Sequence, residues 1–182
     1  MFRLSDFFYQ KTNGKWIAIF AILFMLFGMV IIPHYAAPLK EIVPSSYKPF
    51  DLLFFYDYSY AQDFIGRLGE GGIRSYLIFS WVIDFFYPMV YGGLLIFVLS
   101  YIFVDFSFSK KWHSYVNILP LGIMLIDYIE NAGIAYMLTS FPNFSALSVF
   151  MVNKATQLKW LIVVVCIFFV IVGLVRILRK KL

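Results

Sequence analysis

Four long apolar stretches constrain the fold of this chain more than any other feature of its sequence. A helix needs about 20 predominantly apolar residues to cross the hydrocarbon layer of a bilayer. The stretches meet this requirement, and they cover residues 16–33, 75–104, 114–139 and 153–178. Hydrophobic residues make up 62% of the chain and charged residues 14%, against about 45–50% and 25% in ordinary soluble domains. The sequence therefore predicts an all-α polytopic membrane protein, in which a single domain forms a bundle of four transmembrane helices.

Two prolines are expected to shape the first and second helices. Proline lacks an amide donor, and its ring clashes with the preceding turn of a helix. We therefore expect the first helix to end at Pro33. The second stretch is longer than a bilayer requires, so it should tilt or kink at Pro88.

Basic residues predict the orientation of the bundle. They cluster before the first helix, between the second and third, and after the fourth, at Arg3, Lys11, Lys15, Lys110, Lys111, Arg176, Arg179, Lys180 and Lys181. All of these positions fall on one side of an even-numbered bundle, and cytoplasmic loops carry the excess of lysine and arginine. Both termini should therefore be cytoplasmic, in a bacterial inner membrane rather than a eukaryotic endomembrane. The net charge of +5 reports this topology and does not indicate a nucleic-acid partner.

The segment of residues 34–74 should lie on the outer side of the membrane and contain an amphipathic helix. Its apolar residues recur with the spacing of one helical face, at Ala61, Phe64, Ile65 and Leu68. Ser59 can cap the start of this helix, and Gly69 can end it. Such a helix should lie in the membrane interface and cover the bundle, either as an ordinary interfacial helix or as a moving lid.

Polar residues within the third helix give the strongest functional signal. Asp127, Glu130 and Asn131 stand at i, i+3 and i+4, so they share one face. An ionisable side chain at the bilayer centre costs about 2.5–3.5 kcal/mol even on lenient scales, so such residues usually face a partner or a cavity. Asp84 lies at a similar depth on the second helix, and Gln157 lies near the start of the fourth. We expect these five residues to line one buried polar site in the outer half of the bundle.

Further residues are candidates to bind a ligand at this site, and they are Trp81, Tyr87, Tyr91, Arg74, Lys154 and Lys159. In a regular second helix, Trp81 and Tyr91 share a stripe with Asp84. Lys154 and Lys159 could instead extend to the outer headgroups, with only their stems in the lipid. The acids could equally be structural, since buried polar residues hold membrane helices together.

Carboxylates that meet in a dry site predict proton chemistry. Like charges at short range cannot all ionise there, so at least one carboxyl should hold its proton near neutral pH. Asp84 and Glu130 would form an acid/base pair, and Asp127 and Asn131 would orient the reacting groups. The leading hypothesis is the binding and acid/base processing of a lipid or lipophilic small molecule. A proton-coupled carrier or channel subunit and a non-catalytic assembly partner stay open, so the sequence does not decide whether the chain is an enzyme.

No metal or other cofactor is expected. His34 and His113 lie at opposite edges of the membrane, whereas zinc sites need three or four ligands close together. Cys166 is the one cysteine, and an apolar setting keeps a thiol protonated and inert. Membrane lipids are the expected partners, and the oligomeric state does not follow from the sequence.

Two segments carry a resemblance to known proteins, GEGGIRSYLIFSWVIDFFYPMVYGGLL at residues 69–95 and DYIEN at residues 127–131. Together they resemble a family of small four-helix integral membrane proteins that has no assigned activity. The layout is also similar to the EXPERA group of sterol isomerases and sigma-2-like sterol-binding proteins, in which an intramembrane acid is closely followed by proline on the second helix. This similarity implies a lipophilic ligand near Asp84, with Asp127 or Glu130 as the second acid. The chain departs from the isomerase branch because no histidine lies within a membrane helix.

Overall fold

The computed structural model describes residues 2–104 and 115–181, and these ranges contain helices and no strand. The α-helices are numbered in chain order, and their bounds are α1 Phe2–Lys11, α2 Gly14–Leu26, α3 Ile32–Ile42, α4 Tyr58–Ile78, α5 Asp84–Phe103, α6 Leu119–Thr139 and α7 Ala146–Lys181. A 3-10 turn, Phe50–Leu52, lies between α3 and α4. Lys110, Lys111 and His113 fall outside the described residues.

Within the described ranges, four stretches of helix are long and apolar enough to cross a membrane, and they are Gly14–Ala37, Tyr58–Phe103, Leu119–Thr139 and Ala146–Arg179. This confirms the prediction of an all-helical chain with four candidate membrane spans, as an integral membrane protein requires. The most apolar window of the first stretch has no buried residue at all. Such a surface suits contact with lipid rather than with water.

The first helical stretch does not end at Pro33. A π-helical turn, Phe27–Ile31, joins α2 to α3, and the helix continues to Ile42. Pro33 lies in the first turn of α3, where a missing amide is tolerated and the fixed φ of proline suits the helix. The expectation of a stop was wrong because proline only disfavours the turn that precedes it, and here that turn is wider than an α-turn.

The amphipathic helix forms the first half of α4. Its four spaced apolar residues, from Ala61 to Leu68, are all buried. Gly69 ends the regular helix as expected, since it adopts φ of +60°, a value that favours glycine. The N-cap is Asp57 rather than Ser59, because Asp57 Oδ1 accepts a hydrogen bond from the Tyr60 amide at 2.8 Å. The apolar face of this helix packs against protein side chains, among them Phe144.

The chain forms two compact units. The first comprises Met1–Met25, Pro88–Leu125 and Trp160–Leu182, and the second comprises Leu26–Tyr87 and Ile126–Lys159. Tyr91 belongs to the first unit. The remaining residues of the predicted site all belong to the second unit.

A polar network lies inside the first unit. Asn117 accepts a hydrogen bond from the Ser5 hydroxyl at 2.7 Å and donates to the Ser100 hydroxyl at 3.1 Å. All three residues are 0% exposed. Because each polar group has a partner, this network ties α1 to its neighbours without an unpaired buried group. The apolar core of the unit includes Phe103 and Cys166.

The second unit has an apolar core of aromatic and aliphatic side chains. Phe50, Ile65, Met137 and Phe144 are among its fully or almost fully buried side chains. Gly133 on α6 allows α7 to approach closely, since a Cβ atom at this position would overlap the Val152 side chain. Small residues commonly allow such close helix packing in membranes.

Candidate functional site

Lys159 joins the two acids of α6. Asp127 and Glu130 share one face of that helix, and both are buried, at 7% and 0% exposure. The Lys159 ammonium on α7 lies 2.9 Å from Asp127 Oδ1 and 2.5 Å from Glu130 Oε2. Lys159 is itself buried. It therefore turns inward to the acids and does not extend to the headgroups.

Thr156 completes the surroundings of Glu130, and the sequence analysis did not identify it. Its hydroxyl donates to Glu130 Oε1 at 2.7 Å and also lies 3.1 Å from the Val152 carbonyl oxygen. Thr156 precedes Lys159 by three residues, so both project from the same face of α7. The signal in the sequence was this spacing of polar residues within an apolar helix.

A second π-helical turn, Phe79–Ile83, immediately precedes Asp84. The Asp84 amide donates to the Phe79 carbonyl, five residues back rather than four. Turns of this kind are frequent at functional sites. Pro88 follows within the same helix and has no amide to donate to the Asp84 carbonyl. Asp84 thus lies between a π turn and a proline that cannot donate to its carbonyl.

The Asp84 carboxyl is partly buried and belongs to the same electrostatic cluster as the acids of α6. It interacts with Asp127, Glu130 and Lys159 at a distance. In the part of the chain that the structure describes, its carboxyl makes no hydrogen bond or ion pair. Acids from the two helices therefore lie within electrostatic range of one another.

Asp51 is a fourth acid of this cluster, and the sequence analysis overlooked it. It lies in the 3-10 turn Phe50–Leu52 and interacts electrostatically with Lys159 and Asp127. Burial raises the pKa of the Asp51 carboxyl, and the Lys159 ammonium opposes the increase. The only sequence signal was an acid within an apolar segment that precedes the amphipathic helix. Nothing in a loop sequence fixes which way such a residue turns.

Amide side chains of α7 hold the segment before α4 against the cluster. The Asn153 side-chain amide donates to the Tyr56 carbonyl, and Gln157 donates to the Phe54 carbonyl at 3.1 Å. The Tyr56 hydroxyl and Asn153 Oδ1 are buried polar atoms without a hydrogen-bond partner among the described residues. Such atoms are where water or a polar group of a ligand would bind. Gln157 therefore positions the loop instead of lining the carboxyl cluster directly.

Three of the candidate binding residues are exposed and have no hydrogen bond or ion pair with the acids among the described residues. Trp81 is 65% exposed, because the π turn has more residues per turn and breaks the stripe expected of a regular helix. Lys154 is exposed, lies 2.8 Å from Gln157 Oε1 and stacks over the Phe150 ring. Arg74 is exposed as well. These residues are not brought together with the acids.

The remaining candidates are near the cluster or outside its unit. Asn131 is partly buried and has no side-chain hydrogen bond within the described ranges. Tyr87 stacks on Phe27 at a centroid distance of 5.9 Å, and its hydroxyl interacts electrostatically with Asp127. Tyr91 lies in the first unit. Its predicted role at the site has no support from the packing of the second unit.

Carboxyl groups outnumber ammonium groups in this cluster. Asp51, Asp84, Asp127 and Glu130 interact with Lys159. Neither Asp51 nor Asp84 has an ion pair with any residue that the structure describes. Residues 2–104 and 115–181 contain no group of three histidine, cysteine, aspartate or glutamate residues arranged to hold a metal ion.

A comparison of the chain with models of known protein families, with curated protein sequences and with solved structures gave no significant match. The similarity to the EXPERA group therefore rests on the layout of Asp84, Pro88 and the acids of α6 alone.

Proposed function

We propose that the protein binds a lipophilic molecule that carries a cationic ammonium head, with the ammonium group against the Asp84 and Asp51 carboxyls. The proposal is supported by one observation: these two acids interact with Lys159 but have no ion pair in the described ranges. An uncompensated carboxylate in a shielded site is costly, so it takes up either a proton or a cation. A ligand cation would satisfy both acids without displacing Lys159 from Glu130.

The membrane topology of this proposal is a four-helix bundle with both termini cytoplasmic and the carboxyl cluster in the outer half. It is supported by basic residues near both ends of the chain, such as Lys15 and Arg176. The amphipathic part of α4 covers the outer end, and its buried apolar face supports that role. A bacterial inner membrane fits this distribution of charge.

Chemical processing of the ligand would begin at Asp84. Glu130 is held by Lys159 and Thr156, so its carboxylate is better suited to stabilise a nearby positive charge than to exchange a proton with the ligand. Within the described ranges Asp84 has no such hydrogen bond, so its carboxyl can exchange a proton with a bound head group. Asp127 would orient the Lys159 ammonium, through the contact of 2.9 Å. The proposed reaction class is proton transfer to or from a lipophilic amine.

The test compares amphiphiles that differ only in the head group. Purified protein in dodecyl maltoside is heated with oleylamine, oleyl alcohol or oleate, and the unfolding midpoint is measured. We expect oleylamine alone to raise the midpoint of the wild type, and Asp84→Asn to lose most of this increase. Glu70→Gln removes an exposed acid of the same unit and serves as the matched control. Equal responses of wild type and Asp84→Asn would contradict the proposal.

A proton-coupled carrier is the second candidate, and the shared Lys159 favours it. An ammonium held between two carboxylates can shift its pairing as a proton arrives at one of them. Asp51, outside the candidate spans, would then exchange protons with the outer solution. Reconstituted vesicles test this by a pH-gradient-driven flux that Asp84→Asn abolishes. The absence of any flux or proton leak would remove this candidate.

The third candidate is a non-catalytic assembly partner in which the acids only join helices. Lys159 links α6 to α7 through two ion pairs, as structural glue would. In that case, Asp84→Asn would change stability alone and leave the response to oleylamine intact.

A further inference from the structure

A recess on the second unit combines aromatic and acidic side chains. It is open to solvent, has a volume of about 530 Å3, and is lined by Tyr47, Phe55, Tyr56, Tyr60, Asp57 and Asp63. Aromatic faces attract cations, and they recognise ammonium groups best when several rings and a carboxylate surround the charge. The recess thus has the composition of an ammonium-binding cage rather than of an apolar groove.

The two acids of the recess are in different electrostatic states. Asp63 is paired with Arg67 at 2.9 Å and also accepts a hydrogen bond from the Tyr47 hydroxyl. Asp57 accepts hydrogen bonds from the Tyr60 amide and the Ser59 hydroxyl, each at 2.8 Å. These bonds lower the pKa of the Asp57 carboxyl, so it is ionised at neutral pH. Within the described ranges Asp57 has no ion pair, and its charge is available to a ligand.

The rings are arranged around this charge by contacts within the segment. Tyr60 lies 5.4 Å from Tyr47 and 6.2 Å from Tyr56, measured between ring centroids. The Tyr60 hydroxyl is fixed by the Lys48 backbone, with two bonds of 2.9 Å. The Arg67 guanidinium already lies over the Tyr47 ring at 5.1 Å. The Tyr47 ring is thus already in contact with a cation, and the other rings that line the recess are Phe55, Tyr56 and Tyr60.

Tyr56 connects the recess with the buried carboxyls. It lines the recess and yet is only 4% exposed. Its hydroxyl has no hydrogen-bond partner among the described residues and interacts electrostatically with Glu130 and Asp51. A polar hydroxyl that is buried without a partner indicates an unfilled position for a ligand or water.

We propose that this recess is a separate binding site for an ammonium group, held between Asp57 and the rings of Phe55, Tyr56 and Tyr60. The ligand class is the same as in the proposed function, which places an ammonium group at the carboxyl cluster. The recess itself needs no residue of that cluster.

Choline is the probe, because its trimethylammonium group is small and soluble. Binding to the full chain in dodecyl maltoside is followed by saturation-transfer NMR of the methyl protons, at constant ionic strength. The neutral isostere 3,3-dimethyl-1-butanol is titrated in parallel. We expect choline to bind about twofold to fivefold more tightly than the isostere, which is the range of an exposed cation–aromatic contact. Equal binding of the two, or none, would overturn the proposal.

Variants locate the bound choline. Asp57→Asn removes the charge but keeps the N-cap, since asparagine caps helices equally well. Phe55→Leu removes an exposed ring that contributes nothing to the core. Both should weaken choline binding about twofold to fivefold, whereas Glu70→Gln should leave it unchanged. Loss of choline binding in Asp84→Asn alone would assign the ligand to the carboxyl cluster and refute the recess.

Nanodiscs distinguish the natural source of the ammonium group. If lipid headgroups occupy the recess, phosphatidylcholine nanodiscs should compete with free choline, and phosphatidylglycerol nanodiscs should not. If a soluble amine occupies it, choline should bind equally in both. Failure of the oleylamine test with intact choline binding would refute the proposed function and leave the recess standing.

Discussion

The Lys159 ammonium and the Glu130 carboxylate form an ion pair of 2.5 Å in which the glutamate side chain is fully buried. Asp127 lies on the other side of the same ammonium, at 2.9 Å. This arrangement joins α6 to α7 within the second unit, and it makes the stability of the unit depend on one lysine. The first prediction follows from that dependence.

Replacing Lys159 with methionine should destabilise the protein strongly. Asp127 and Glu130 would stay buried without their cation. Removing one partner of a buried ion pair lowers the free energy of unfolding by about 3–5 kcal/mol. The free energy of unfolding in detergent measures the effect. The double variant Lys159→Met/Glu130→Gln should recover part of the loss, since it removes one of the stranded charges. A double variant as unstable as the sum of both single variants would contradict the ion pair.

Replacing Thr156 with valine should lower the free energy of unfolding by about 1–3 kcal/mol. Valine has nearly the same volume as threonine but lacks the hydroxyl that donates to Glu130 Oε1 at 2.7 Å. Thr156→Ser keeps the hydroxyl and is the matched control. Thermal unfolding of both variants checks the difference. If valine proves as stable as threonine, the hydrogen bond to Glu130 does not contribute to stability.

Replacing Gly133 with alanine should destabilise the second unit by about 1–3 kcal/mol, the usual cost of overpacking. The new Cβ atom would overlap the Val152 side chain, and a β-branched residue in a helix has little freedom to move. The second variant Val152→Ala should relieve the clash and make the glycine substitution nearly neutral. Additive losses in the double variant would show that the two positions do not touch. Unfolding midpoints provide the readout.

Replacing Asp51 with asparagine should flatten the pH dependence of stability. Burial raises the pKa of Asp51 in the folded state, so the folded form binds the proton more tightly than the unfolded chain. Its contribution to stability is complete below the unfolded pKa of about 3.9 and is lost as pH rises through the folded value.

Asp57→Asn gives the opposite sign, because the pKa of Asp57 is lowered. Its contribution is present above pH about 3.9 and is lost in acid. Unfolding midpoints between pH 2 and pH 8 separate the two variants; identical slopes for wild type and Asp51→Asn would contradict this prediction.

The sequence predicted the helices and much of the candidate site because both follow from periodicity. Stretches of about 20 apolar residues have few alternatives to a membrane helix, and the i, i+3 spacing of Asp127 and Glu130 fixes their common face. Gly69 ended the amphipathic helix as expected, since its φ of +60° is available to glycine. These features depend on local geometry alone.

The remainder could not be predicted because it depends on departures from regular geometry or on tertiary contacts. The exposure of Trp81 did not follow from the sequence, since no sequence pattern indicates a π turn. Asp51 turns inward from a loop, and Thr156 was inconspicuous beside the charged residues. Lys159 turns inward because its two partners lie on α6. The spacing of residues along α7 does not reveal this contact.

The π turn Phe79–Ile83 contains one residue more than an α-turn, and this extra residue sets the direction in which the Asp84 side chain projects. In an α-helix each residue advances the side chains by about 100°. Deleting a single residue from this turn would restore ordinary winding and rotate Asp84 by about that angle relative to α4. The carboxyl would then leave the cluster although every side chain around it stayed the same. An alignment of related chains that tolerates a gap here would therefore match the helix but misplace its acid.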